Sequence, residues 1–242
     1  MCVIAVCVKR VLTNQEVIQA AASNEDGIGI AWRRKDCLAF RKGLTVDGLN
    51  KLLDSGLPLP LVVHFRFATS GEVTREMCHP FECGAVPLRV SGTTKRQLLF
   101  HNGVISGWEG IMLSLLPEIL RRYKKLPEGD WNDSRMAALL VGMLGEQSMQ
   151  FLDGKFAVMD PKDGTVNMYG KFTDKDGIWL SSPLMGYRQA YNAAAGWPES
   201  ALLPYNKGGA LQSGMYKEAY TDIYGRSNDG DDTLEEDSIR GI

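Results

Sequence analysis

The sequence has no long apolar run, no excess of one charge and no regular cysteine pattern. Its 242 residues carry 27 Lys and Arg against 29 Asp and Glu, a formal net charge of −2. That balance argues against a nucleic-acid partner and provides no polybasic anchor for a membrane. No run approaches the roughly 18 apolar residues of a membrane-spanning helix. The cysteine count of 5 is odd, which favours free thiols in the cytoplasm over a disulfide framework.

The sequence also lacks a secretory signal, an internal repeat and a nucleotide-binding loop. Residues 2–8 are apolar, but the basic pair Lys9-Arg10 follows them, the reverse of the order in a signal peptide. Gly164 to Phe172 is not a Walker A loop, because Phe172 stands where Ser or Thr must bind magnesium. Residues 226–242 are acidic, and we expect a disordered tail there. The rest is long enough for a full hydrophobic core.

Hydrophobic periodicity predicts strands and helices in mixed order, without a repeating βαβ unit. Predicted strands span residues 3–8, 28–33, 37–41, 61–69, 97–101, 156–160, 165–170 and 178–182. Predicted helices span residues 13–22, 45–55, 111–125 and 134–147; Thr13 and Glu16 form a capping box at the first. Pro117 is expected to begin or kink a helix. The pattern favours antiparallel sheets covered by helices, an α+β fold.

Cys2 is the first candidate catalytic residue. If Met1 is removed, its thiol and a free α-amine belong to one residue. An α-amine titrates near pH 8, so it can accept the thiol proton directly or through a water. That provides a nucleophile and a base without a histidine. The alternative is a small buried side chain at the start of a strand.

Three further segments carry polar side chains next to turns. Alternation along the strand places His64 and Arg66 on one face, where Arg66 can bind a carboxylate bidentately. Asn102-Gly103 follows a strand and offers an amide NH₂ beside an uncrowded backbone N–H, the donors of an oxyanion hole. Asp133 precedes a helix and is suited either to a helix cap or to a substrate ammonium.

Taken in order, these segments resemble the class II glutamine amidotransferases, the N-terminal-nucleophile glutaminases, in particular stand-alone members. The matching segments are Cys2, residues 24–32 (NEDGIGIAW), 64–71 (HFRFATSG), 78–81 (CHPF), 101–105 (HNGVI), 132–134 (NDS) and 154–157 (GKFA). The resemblance covers residues 2 to about 185 well and residues 186–217 loosely. It implies a domain over residues 1–225 with a four-layer αββα sandwich of two antiparallel sheets.

The resemblance also implies a role for each matching residue. Cys2 would attack the side-chain amide of glutamine, and Asn102 and Gly103 would form the oxyanion hole. Arg66 would hold the α-carboxylate, Thr69 would add backbone contacts beside it, and Asp133 would hold the α-ammonium. A γ-glutamyl thioester would form and release ammonia and then glutamate. No cofactor is implied, and a separate synthase subunit would accept the ammonia.

The sequence leaves several alternatives open. Val3 stands where the family usually has glycine, and its side chain could crowd the substrate. The true substrate could be another γ-glutamyl amide or peptide, or the chain could bind glutamine or a partner without catalysis. A retained Met1 would acylate the proposed base. Four further side chains could supply zinc ligands, although their spacing fits no common zinc motif: Cys78, His79, Cys83 and His101.

Overall fold

The computed structural model describes residues 2–67 and 73–184, which contain two antiparallel sheets and four α-helices. The strands are β1 (Val3–Cys7), β2 (Ile28–Arg34), β3 (Cys37–Leu44), β4 (Leu61–Phe65), β5 (Phe81–Glu82), β6 (Ser91–Thr94), β7 (Leu98–Asn102), β8 (Lys155–Met159), β9 (Val166–Tyr169), β10 (Thr173–Lys175) and β11 (Ile178–Leu180). The helices are α1 (Asn14–Ala22), α2 (Val46–Asp54), α3 (Trp108–Tyr123) and α4 (Asp133–Leu144), and a 3-10 turn spans Glu146–Phe151.

The first sheet has seven strands in the order β10-β11-β1-β4-β2-β3-β6, so the N-terminal strand β1 is central. The second sheet has four strands in the order β5-β7-β8-β9. In the β1–β4 ladder, Val3 lies opposite Phe65 and Ile4 lies opposite His64. This register places the start of β1 next to the end of β4. Cys2 directly precedes β1, and Arg66 directly follows β4.

Alternating side chains of the strands divide the core into three layers. On one side, Val3, Ala5 and Val63 pack against α1 and α2. Between the sheets, Ile4 and Val62 of the first sheet meet residues of the second, including Leu98, Phe100, Ala157 and Met159. On the far side, the second sheet packs against α4 and α3. The predicted αββα sandwich of two antiparallel sheets is therefore confirmed.

Helix α1 begins as the capping box predicts. Thr13 accepts a hydrogen bond from the Glu16 N–H, and the Glu16 carboxylate accepts one from the Thr13 N–H. Arg10 forms a two-point ion pair with Glu16 and is the main reason that the pKa of Glu16 falls to about 2. The loop between β1 and α1 is thereby fastened to the first turn of the helix.

Pro117 does not begin a helix, because this residue lies inside α3 without ending it. Proline cannot donate a hydrogen bond to the carbonyl four residues earlier, here that of Leu113. Leu113 is largely exposed, so water can satisfy that carbonyl. Helix α3 also begins three residues earlier than predicted, at Trp108 rather than residue 111.

Three short strands also differ from the prediction, and some predicted features fall outside the described residues. Strands β5, β6 and β10 have two to four residues and were not predicted. Residues 68–72, with Thr69, and residues 185–242, with the predicted tail, lie outside the described part of the chain. None of the helices in residues 2–67 and 73–184 combines the length and apolar character needed to cross a membrane.

Candidate active site

The candidate site lies where β1, β4 and β7 reach one end of the inter-sheet layer. Ile4 and Val62 point into this layer, and alternation gives Cys2, His64 and Arg66 the same direction. On the second sheet, Phe100 points into the layer, and Asn102 follows it by two residues. Side chains from both sheets therefore converge at the beginning of the chain.

Cys2 contacts the backbone just beyond β4. The Phe67 N–H donates to Cys2 Sγ at 3.3 Å, and the thiol lies 3.4 Å from the Phe67 carbonyl oxygen. Burial raises the pKa of the Cys2 thiol, while the Phe67 hydrogen bond and the nearby Arg66 charge oppose that rise. The thiol is therefore protonated at neutral pH and needs a base to become a nucleophile.

Val3 does not crowd this contact. Its side chain is buried on the opposite face of the first sheet, in the layer that contains α1 and α2. Alternation along β1 turns the side chains of Cys2 and Val3 to opposite faces, so the Val3 side chain points away from the Cys2 contact.

Arg66 is a buried cation directly next to this contact. Its backbone N–H donates to the Gly27 carbonyl at 2.9 Å, and its guanidinium lies 3.4 Å from the Thr74 carbonyl oxygen. Its charge also opposes the rise that burial causes in the pKa of Cys78. A guanidinium is more weakly hydrated than an ammonium, which suits Arg66 to a buried ion pair.

Asn102 is anchored to the first sheet through two serines. Its Nδ2 lies 2.9 Å from both Ser181 Oγ and Ser182 Oγ, and its buried Oδ1 has no partner within residues 2–67 and 73–184. Ser181 Oγ also accepts the Ile4 N–H at 2.8 Å. The Ser181 hydroxyl group therefore contacts both Asn102, the predicted oxyanion donor, and β1, the strand that follows Cys2.

Gly103 adopts a conformation that favours glycine. Its φ is +153°, and a Cβ there would lie 2.9 Å from the Gly154 Cα. Two strand ends of the second sheet consequently approach each other closely at this point. The Gly103 N–H is free of steric crowding from its own side chain, as an oxyanion donor requires.

Asp133 supports the turn that follows Gly103. Its Oδ2 accepts the Ile105 N–H at 3.0 Å, and its Oδ1 accepts the Ser134 N–H at 2.7 Å. Ser134 Oγ lies 2.9 Å from His101 Nδ1. Asp133 therefore combines a charge at the start of α4 with a structural contact to the 102–105 turn.

The three histidines of the sequence are all buried near this site. His64 Nε2 donates to the His101 carbonyl at 3.1 Å, and the His64 and His79 rings lie 4.1 Å apart. Burial lowers the pKa of His64 to about 3 and that of His101 to about 4. Burial also lowers the pKa of His79 well below its usual value. All three rings are neutral at pH 7 and are poor bases for Cys2.

The zinc alternative finds no support in this arrangement. Within residues 2–67 and 73–184, no group of three or more His, Cys, Asp or Glu side chains is placed to hold a metal ion. The four candidate ligands all belong to the described residues, and both ring nitrogens of His79 lack a partner there.

Sequence reasoning missed the polar residues that support the predicted ones. Ser181 and Ser182 reach Asn102 across a sequence separation of 79 and 80 residues. The Lys155 ammonium donates to the Ser181 carbonyl. The only local signal was the paired serines at the end of a predicted strand, and their partner is not visible in the sequence.

Comparisons with known proteins give a distant structural similarity. No protein-family model matches the chain, and no curated protein does. The chain is similar to a glutamine phosphoribosylpyrophosphate amidotransferase from B. subtilis complexed with ADP and GMP, with a TM-score of 0.44 and 16% identity. It is also similar to a structure described as the allosteric regulatory enzyme of purine biosynthesis, with a TM-score of 0.43 and 15% identity. The alignments cover 74% of this chain and 41% of each of those chains.

Proposed function

We propose that this chain is an N-terminal cysteine amidohydrolase that acts on the side-chain amide of glutamine. The observation that carries the proposal is the position of Cys2, whose sulfur lies 3.3 Å from the Phe67 N–H, next to the buried Arg66. A thiol at the second position of the sequence, in a half-buried site beside a cation, suits a nucleophile for a substrate that carries a carboxylate.

The base for this nucleophile is the α-amine of Cys2 itself, exposed by removal of Met1. The thiol is neutral because burial raises its pKa, and the neutral histidines nearby have a pKa too low for efficient proton transfer. An α-amine with a pKa near 8 is closer to the optimum for a general base at neutral pH.

The substrate is recognised by charge at both ends of its amino-acid group. Arg66 binds the α-carboxylate and Asp133 binds the α-ammonium, while Thr69, which lies outside the described residues, keeps its predicted role beside the carboxylate. The Cys2 thiolate attacks the amide carbon, and the Asn102 Nδ2 and the Gly103 N–H stabilise the oxyanion. The C–N bond breaks, the amine takes a proton and leaves as ammonia, and water hydrolyses the thioester to glutamate.

The ammonia acceptor is a separate protein in this proposal. The alignments cover about two fifths of the length of the two structures above. Ammonia released from glutamine is a nitrogen donor for a second reaction, so we propose a synthase subunit as partner, and no cofactor for the hydrolytic half-reaction.

Ammonia release from glutamine tests the proposal directly. The processed wild-type chain should release ammonia and glutamate, and Cys2→Ala should abolish release while its circular-dichroism spectrum and melting temperature stay unchanged. Cys37→Ala is the matched control, because Cys37 is also partly exposed but lies in the β2–β3 hairpin. Full activity in Cys2→Ala would overturn the nucleophile assignment.

A binding role without chemistry is the second candidate. The raised pKa of Cys2 favours it, since Arg66 and Asp133 can hold glutamine whether or not a thiolate forms. Saturable glutamine binding by a processed chain that releases no ammonia would establish this role instead. Turnover of γ-glutamyl peptides but not glutamine would keep the chemistry and change the substrate.

A further inference from the structure

The side-chain amide of Asn102 is held by two hydroxyl groups and has one end without a partner. Its Nδ2 lies 2.9 Å from Ser181 Oγ and 2.9 Å from Ser182 Oγ. Its Oδ1 is buried and has no hydrogen-bond partner among the residues that the structure describes. In this orientation both amide N–H groups are used by serines, so neither is available to an oxyanion.

Ser181 is fixed by three further hydrogen bonds. Its N–H donates to the Ile4 carbonyl at 2.9 Å, and its Oγ accepts the Ile4 N–H at 2.8 Å. Its own carbonyl accepts from the Lys155 ammonium. The Ser181 hydroxyl oxygen therefore already accepts one hydrogen bond from the backbone, and its proton remains to be donated.

Rotating the Asn102 amide by 180° gives the amide oxygen and both serine hydroxyl protons a suitable partner. Oδ1 then lies between the two serines and accepts from both hydroxyls, while Ser181 Oγ keeps the Ile4 N–H. Nδ2 moves to the position of the unpartnered Oδ1, where its protons are available. The oxygen and nitrogen of the amide are nearly the same size, so the two orientations have the same heavy-atom shape. Hydrogen bonding therefore decides between them.

We propose that Ser181 and Ser182 are positioning residues that hold Asn102 with Nδ2 available to the oxyanion. This proposal rests on the glutamine-hydrolysing function proposed above. Ser181 also binds Ile4, two residues from Cys2. Its hydroxyl group therefore fixes the position of the oxyanion donor Asn102 relative to the nucleophile Cys2. In the described part of the chain, the Ser182 hydroxyl bonds only to the Asn102 amide, which makes Ser182 the cleaner of the two to test.

The proposal has a distinct kinetic consequence. An oxyanion donor acts mainly in the transition state, so a misoriented Asn102 lowers kcat and leaves KM for glutamine nearly unchanged. The effect of removing a serine should also require Asn102. When the amide is absent, nothing remains for the hydroxyl to orient, and the two substitutions are strongly non-additive.

The experiment measures kcat and KM for ammonia release from glutamine in the processed full chain. Ser182→Ala is made in the wild type and in Asn102→Ala, and Ser182→Thr restores the hydroxyl. Ser181→Ala is a second test, with melting temperature as a control for the lost Ile4 contact. Ser148→Ala is the matched control, because Ser148 Oγ donates only to the nearby Gly145 carbonyl at 2.6 Å.

We expect Ser182→Ala to lower kcat about tenfold or more with KM within twofold, in line with the 10²–10³-fold typical for loss of an oxyanion donor. Ser182→Thr should recover most of kcat, and Ser182→Ala should have less than a twofold effect in Asn102→Ala. An unchanged kcat in Ser182→Ala, or the same loss in both backgrounds, overturns the positioning role alone. No activity in the processed wild type overturns the proposed function and this proposal with it.

Discussion

The Asp133 carboxylate accepts the Ile105 N–H at 3.0 Å and so connects the start of α4 to the turn that carries Gly103. A side chain proposed to bind the substrate ammonium thus also shapes the proposed oxyanion hole. Its charge and its hydrogen bond can be separated by substitution, because asparagine keeps an acceptor oxygen and loses the charge.

We expect Asp133→Asn to raise KM for glutamine about 10- to 100-fold, as removal of a charged hydrogen-bond partner typically costs about 1.5–3 kcal/mol. The melting temperature should fall only modestly, because the single oxygen of asparagine can still accept the Ile105 N–H but not the Ser134 N–H as well. Steady-state kinetics check this, with the exposed Asp130 as control in Asp130→Asn. An unchanged KM would limit Asp133 to its structural contact.

Arg66→Lys should raise KM for glutamine at least tenfold. Lysine keeps the positive charge but cannot bind a carboxylate through two parallel hydrogen bonds. The measurement is KM for ammonia release, with Arg121→Lys as control, since Arg121 pairs with Glu118 on the exposed face of α3. If KM stayed the same in Arg66→Lys, the carboxylate would be bound elsewhere.

Gly103→Ala should lower stability by about 1–3 kcal/mol and reduce kcat, because a side chain at φ +153° is strained and its Cβ would lie 2.9 Å from Gly154 Cα. Gly110→Ala is a matched control in α3, where an added Cβ meets nothing within 4 Å. Urea unfolding should show this control unchanged or more stable by up to about 1 kcal/mol. Equal effects of the two substitutions would contradict the close approach at Gly103.

The buried histidines should make the protein unstable in mild acid. Burial lowers the pKa of His64 from 6.5 to about 3 and of His101 from 6.5 to about 4, and it lowers the pKa of His79 as well. Below pH 6.5 the unfolded chain therefore binds protons that the folded chain does not. Stability is full above this pH and falls as the pH drops toward 4, by up to about 1.4 kcal/mol per pH unit for each histidine.

Urea unfolding at several pH values between 7 and 4.5 measures this loss. The window stays above the range where Glu16 contributes, since its folded pKa is about 2 and its usual pKa is 4.5. Arg66, Lys42 and Asp133 are the charged groups whose fields act on these rings. His79→Phe removes one titrating ring and should flatten the profile, whereas an equally steep profile would show that His79 is not buried as a neutral ring.

Local signals in the sequence predicted much of the fold. The Thr13–Glu16 capping box, the β2–β3 hairpin and the alternating strands each depend on neighbouring residues, and the structure contains all three. Strand β5 could not be predicted, because its two residues are strands only through pairing with β7. Pro117 lies inside α3 rather than at its start, because water can satisfy the exposed carbonyl that proline leaves without a donor.

The residues that the sequence singled out for the candidate site can be placed in the structure, whereas the residues that support them were not predicted. Cys2, Arg66 and Asn102 are recognisable from type and order along the chain. The Ser181 contact to Ile4 spans 177 residues and depends on where β11 ends beside β1. Such contacts follow from the packing of the two sheets, which no single segment specifies.

The most direct test of the central claim is the intact mass of the purified chain before and after exposure to a diazo-ketone analogue of glutamine. We predict that the chain lacks Met1 and gains a single covalent adduct, and that Cys2→Ala gains none. A chain that retains Met1 and stays unmodified, or that carries the adduct on another cysteine, would contradict an N-terminal Cys2 nucleophile in a glutamine site.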